Sequence, residues 1–148
     1  MTLPLKLYFL FNQGYVDLNF RTEFCKFCAV ETESNPKTLH ALTGSLVAER
    51  IFGENKAVVD AIRWHTTGHP DMDQLARIIY ISDYIEPGRN FPGVDVLRQI
   101  TNKDLNLGVL AGLDHTLTFL IQRNHFIHPL SIAARNRMLE EHVVEDLS

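Results

Sequence analysis

Cysteine is nearly absent from this sequence: Cys25 and Cys28 are the two it has. That excludes a disulfide-stapled fold, and it fits a chain kept in a reducing cytoplasm. The pair forms one C-x-x-C, which supplies half of a tetrahedral zinc set, or a dithiol without the strand-then-helix context of a redox motif. A long apolar run is also missing. Leu3 to Phe11 is interrupted by Lys6, is too short to cross a bilayer and is followed by no small-residue cleavage site, so neither a membrane span nor a signal peptide is expected. No stripe of Lys and Arg interleaved with aromatics occurs, and the formal net charge is -4. Phosphate-neutralising attachment to nucleic acid is therefore disfavoured, whereas a small phosphorylated ligand is compatible.

What is present suits one domain. The 148 residues, 45% hydrophobic and 22% charged, can bury a sizeable core and give no sign of long disorder. Residues 1–34 are rich in Phe, Tyr and Leu without sustained helical period and form a divergent segment. From Asn35 the signals are helical. Asn35 and Pro36 open a helix to about Phe52, which Gly53 stops. A second covers Lys56 to Thr66. Asp71 with Gln74 three residues on reads as a capping box for a third, through about Tyr84, which the Pro87-Gly88 turn ends. Val94 to Ile100 is a short helix, Leu105 to Arg123 the longest, and Pro129 starts a last one to about His142, leaving 143–148 as a tail. The fold class is all-α.

Three polar residues stand on apolar helix faces. His40 is in line with Gly44, Val47 and Ile51; His65 ends a row with Val58 and Ile62; Asp83 follows Leu75 and Ile79 at four-residue steps. Each face is expected to turn inward. Singly, each residue has a plain structural explanation: a histidine satisfied by a backbone carbonyl, or Asp83 paired with Arg77 or Arg89. Together, three helices directing one metal-competent group each toward the interior point to a shared cation, which removes the cost of burying them.

Local strings add to this pattern. Leu39-His40 with Gly44 and Phe52-Gly53, then Ala61-Ile62-Arg63-Trp64-His65-Thr66-Thr67-Gly68, then Ser82-Asp83-Tyr84-Ile85-Glu86-Pro87-Gly88-Arg89 and Phe91-Pro92-Gly93-Val94, resemble consecutive signatures of the YqeK family. His128-Pro129-Leu130 and Ala134-Arg135-Asn136 extend the likeness, which runs from Asn35 to about Leu139. The resemblance implies an HD-domain-like helical bundle with a two-metal site, usually iron, that hydrolyses diadenosine tetraphosphate symmetrically to two ADP. It implies that His40 and His65 are ligands to one metal and Asp83 to the other. Arg89 and Thr66 lie in matching motifs; on chemical grounds they are candidates for substrate phosphates, with pairing to Asp83 or Glu86 and helix capping as the alternatives.

The family also carries an earlier His and an adjacent His-Asp pair that this sequence lacks; Asp114-His115 is in reverse order. The chain is therefore expected to be an N-terminally incomplete HD-type bundle with half a site, an exposed apolar patch and a tendency to homodimerise. His69, His125, His128 and His142 are given structural or solvated roles. Two other classes stand beside the hydrolase: a non-catalytic helical remnant that binds a nucleotide, a metal or a partner protein, and an unrelated helical regulator whose C-x-x-C and histidines hold one structural zinc.

Overall fold

The computed structural model describes residues 38–146, with side chains through His142; Asn35, Pro36, Cys25 and Cys28 lie outside the described residues. Six helices and no strand occur among them: α1 Leu39–Arg50, α2 Lys56–Trp64, α3 Gln74–Ile85, α4 Val94–Lys103, α5 Leu105–Gln122 and α6 Pro129–Asp146. None is long and apolar enough to cross a membrane.

The helix boundaries follow local chemistry. Asn55 caps α2 by accepting from the Val58 N–H at 3.2 Å, and Gly53, at φ +67°, ends the turn after α1. The cap of α3 is Asp73, whose carboxylate accepts from the Ala76 N–H at 2.8 Å, not the expected Asp71. Asp71 lies two residues ahead of that cap, its carboxylate exposed and its N–H donating to His69 Nδ1 at 3.1 Å, and the expected capping box does not form. Asp104 similarly caps α5 through the Leu107 N–H, and α4 runs on to Lys103 instead of stopping at Ile100. Replacing Asp73 with alanine is expected to lower stability by about 1 kcal/mol through loss of the cap, measurable as a lower urea midpoint at unchanged slope.

α1 packs on α2, α2 on α3, and α3 on α4 and α5; α5 also carries α4 and α6. α3 and α5 are thus the middle of the bundle. Their core contributions are Ala76, Tyr80 and Ile81 from α3 and Val109 and Leu113 from α5, with Ala61, Met72, Leu97, Ala134 and Met138 around them. Burial pushes the Tyr80 phenol well above its ordinary range, so it stays neutral. Arg77 fastens three helices: its guanidinium donates to Met72 O, to Asn106 Oδ1 on α5 and to Glu141 on α6. Asp114 on α5 accepts from Arg135 on α6.

Two helices are rotated from the expected orientation. The buried side of α1 is Ala41, Leu42, Ser45 and Ala48, while His40 is exposed and Val47 and Ile51 are half-buried. On α3 the stripe Leu75, Ile79 and Asp83 faces outward; with Ile78 it exposes 37%, 41% and 42% of Leu75, Ile79 and Ile78, forming an apolar patch. The cause is visible in the sequence QLARIIYISDYI, which has two adjacent apolar stripes about 100° apart. Small Ala76 and long Tyr80 fill the gap toward α5 better than Leu75 and Ile79, and that packing selects the face.

Candidate active site

α1 and α2 form a hairpin, so the first turn of α1 lies beside the last turn of α2. Gly44 sits against Ile62, with a Cβ there falling 3.3 Å from Ile62 Cγ2, and one turn outward His40 meets His65. α2 ends because Gly68, at φ +70°, donates its N–H to Trp64 O at 2.7 Å. His65, Thr66 and Thr67 are thereby held in the terminal turn, where the helix dipole places partial negative charge and favours a cation.

The Nε2 atoms of His40 and His65 are 3.0 Å apart, with the rings edge to face. His65 Nδ1 lies 2.6 Å from Ile62 O, and because a carbonyl can only accept, Nδ1 carries the proton. A neutral His65 therefore presents a bare lone pair at Nε2. Thr66 Oγ1 sits 3.1 Å from that atom and 3.2 Å from His40 Nε2, closing a three-membered polar cluster. A histidine whose far nitrogen is anchored on a carbonyl while the near one points at a second imidazole has the arrangement of a metal ligand with its outer-shell partner.

Asp83 is not gathered with them: among the described residues no three His, Cys, Asp or Glu side chains come close enough to hold one ion. Asp83 stands at the outer end of α3 with 57% of its side chain exposed, and its Oδ1 accepts from Arg89 Nη2 at 2.6 Å. Arg89 Nε also donates to Asp83 O at 2.8 Å and lies 3.5 Å from Glu86 Oε1. Of the open alternatives for Asp83, Arg89 is the partner and Arg77 is not. The Asp83 carboxylate holds the Arg89 guanidinium above its ordinary range. The expected convergence of His40, His65 and Asp83 on one point thus reduces here to a histidine pair with Thr66, and a separate Asp83–Arg89 pair.

The remaining histidines have structural partners. His69 stacks flat on Trp64, ring centres 4.1 Å apart, and His128 Nδ1 accepts from the Leu130 N–H at the start of α6. The sequence reading missed Arg98 on α4. Its guanidinium donates to Ile85 O, Glu86 O and Arg89 O at 3.1, 2.7 and 3.0 Å, and to Asp95 Oδ1 at 2.8 Å. The available signal was weak: an Asp95-Arg98 spacing of three on a helix reads as an ordinary surface ion pair.

Fold and cluster together define an all-helical domain that presents paired imidazoles at one end of a hairpin. No family model matches the chain. A crystal structure of a predicted HD superfamily hydrolase involved in NAD metabolism, from Clostridium acetobutylicum, superimposes with a TM-score of 0.69 at 38% identity, covering 81% of this chain and 68% of that one. The symmetrical bis(5'-nucleosyl)-tetraphosphatase of Halalkalibacterium halodurans is 44% identical over 104 residues, which is 70% of this chain and 56% of the relative. The protein of the same description from Bacillus subtilis is 40% identical over 98 residues, 66% of this chain and 53% of the relative. The chain belongs to the HD superfamily, and it spans about half the length of the curated relatives it matches.

Proposed function

We propose that this chain serves metal-dependent hydrolysis of dinucleoside polyphosphates, diadenosine tetraphosphate and water giving two ADP. The observation that carries the reading is the 3.0 Å approach of His40 and His65 Nε2, with the His65 tautomer set by Ile62 O. Two relatives at 40% and 44% identity bear the name of that activity, which supports the choice of substrate class. The imidazole pair fits a divalent cation such as iron as two of its ligands; Asp83 would join by exchanging its Arg89 partner for the ion. A bound cation in such a site polarises a phosphoryl oxygen and lowers the pKa of water.

The chain's own groups supply the rest. Thr66, one hydroxyl between two imidazoles, orients whichever ring accepts its proton and can turn that proton to a substrate oxygen. Arg89 presents its Nη1 edge, which bonds no described residue, to phosphate oxygens. The partner in this reading is a small nucleotide in the cytoplasm, neither nucleic acid nor membrane.

A second reading is favoured by the separation of Asp83 from the histidines: a helical module that binds nucleotide or metal without turnover. The two part on one assay. With added iron, manganese or zinc, the purified chain is expected to release ADP from diadenosine tetraphosphate, two per substrate consumed. Nucleotide binding with no release above buffer under any of these metals establishes the second reading and removes the first.

A further inference from the structure

The turn that follows α3 is held by a residue from another helix. α3 ends at Ile85, and the last carbonyls of a helix have no partner within it. Here the Ile85, Glu86 and Arg89 carbonyls are all taken by Arg98 of α4, 13, 12 and 9 residues away. The fourth guanidinium bond, to Asp95, fixes the plane of the fork from behind. Only 27% of the Arg98 side chain is exposed, against 46% for Arg89. Three of the five Arg98 N–H donors go to the turn and a fourth to Asp95, whereas Arg89 Nη1 bonds no described residue.

Geometry connects the two arginines. The Pro87-Gly88 turn reverses the chain so that Arg89 folds back onto Asp83, six residues earlier. Its guanidinium then uses Nε and Nη2 on Asp83 and leaves Nη1 with no bond to a described residue. That orientation depends on where the Arg89 backbone lies, and Arg98 Nη2 holds it from both sides, bridging Glu86 O and Arg89 O. A lysine cannot substitute, because one ammonium has no planar fork to span three carbonyls and a carboxylate.

We propose that Arg98 is the positioning residue for Arg89, locking the 85–89 turn so that the Arg89 guanidinium is preset for the phosphate oxygens of a nucleotide; this rests on the phosphate-contacting role given to Arg89 above. Arg98 itself touches no ligand. Presetting matters because an exposed arginine loses rotamer freedom when it binds, and that loss is already met when the turn is rigid.

The experiment uses the full chain with ADP and adenosine as probes, titrated calorimetrically against wild type, Arg89→Ala, Arg98→Ala, Arg98→Lys and the Arg89→Ala/Arg98→Ala double variant. Arg89→Ala and Arg98→Ala are each expected to weaken ADP binding about tenfold, the range of one charge-assisted contact. Arg98→Lys should behave like Arg98→Ala, adenosine affinity should stay constant throughout, and the double variant should bind ADP no more weakly than Arg89→Ala alone. Wild-type ADP affinity in Arg98→Ala, or single effects that multiply in the double variant, would overturn the proposal. The positioning is read independently of any ligand from the Arg89 Nε–H signal in nuclear magnetic resonance. That signal should be slowly exchanging in wild type and lost in Arg98→Ala and Arg98→Lys; its survival in both variants sinks the idea. If Arg89→Ala leaves ADP binding unchanged, the phosphate role of Arg89 fails, and the Nε–H signal still decides what Arg98 does. Free guanidinium ion should restore the signal in Arg98→Ala, separating a vacated clamp from a chain that fails to fold.

Discussion

Substituting His65 with alanine is expected to weaken binding of one divalent cation by at least about 100-fold. Loss of an outer-shell partner of a metal-bound histidine already costs 10- to 100-fold, so loss of one of two imidazoles sets that as the lower bound. In the cation-free arrangement the 3.0 Å contact between the Nε2 atoms needs one proton between them. Because His65 carries its proton on Nδ1, His40 must supply it. A cation draws on both Nε2 lone pairs, so His40 must move its proton to Nδ1, a change of tautomer that leaves the number of bound protons the same. Isothermal titration with zinc or manganese, in two buffers of different ionisation enthalpy, measures the affinity and checks that no proton is released on binding. His40→Ala should match His65→Ala; Thr66→Val should keep most of the affinity. Equal affinity in wild type and both histidine variants would show that the pair holds no ion.

The pairing of His40 with His65 was within reach of the sequence because helix ends are strongly marked. Asn55, Gly53 and Gly68 bracket α2 so tightly that a hairpin with α1 is nearly forced, and a hairpin sets the start of one helix beside the end of the other. The orientation of α3 was not within reach. Leu75-Ile79-Asp83 and Ala76-Tyr80-Tyr84 are equally regular at helical spacing, and the choice between them is made by α5, whose surface is remote in sequence. That single rotation turns the Asp83 carboxylate from the expected interior to solvent and to Arg89. Arg98 was illegible for a related reason: its partners are backbone carbonyls, which every residue has, so no side-chain pattern announces them.

The second large effect concerns the seat of α4 on α5. Gly108 lies in the first turns of α5, where a glycine ordinarily costs about 1 kcal/mol relative to alanine, so helix propensity alone predicts that Gly108→Ala stabilises. Packing predicts the reverse. A Cβ at Gly108 would lie 2.8 Å from both Cα and Cβ of Thr101, and the Thr101 side chain is tied down by its hydroxyl bond to Leu97 O. Backbone cannot step aside as a side-chain tip can, so overpacking of about 3 kcal/mol or more outweighs the propensity gain, for a net loss of about 2 kcal/mol. Gly112→Ala offers the contrast: its Cβ would meet Ile81 Cδ1 at 2.8 Å, the end of a movable side chain. Its cost should be smaller, and Ile81→Val should recover most of it by removing that methyl. No such repair exists at position 108, because Thr101→Ala keeps the offending Cα and Cβ. Urea denaturation of the four variants checks the order; a Gly108→Ala protein as stable as wild type would mean that α4 and α5 do not approach at this distance. The consequence reaches the site, since α4 carries Arg98. Pushing α4 off α5 shifts the clamp on the 85–89 turn, so Gly108→Ala should also weaken ADP binding under conditions where it remains folded, whereas Gly112→Ala, which bears on α3 near its middle, should leave that affinity near the wild-type value.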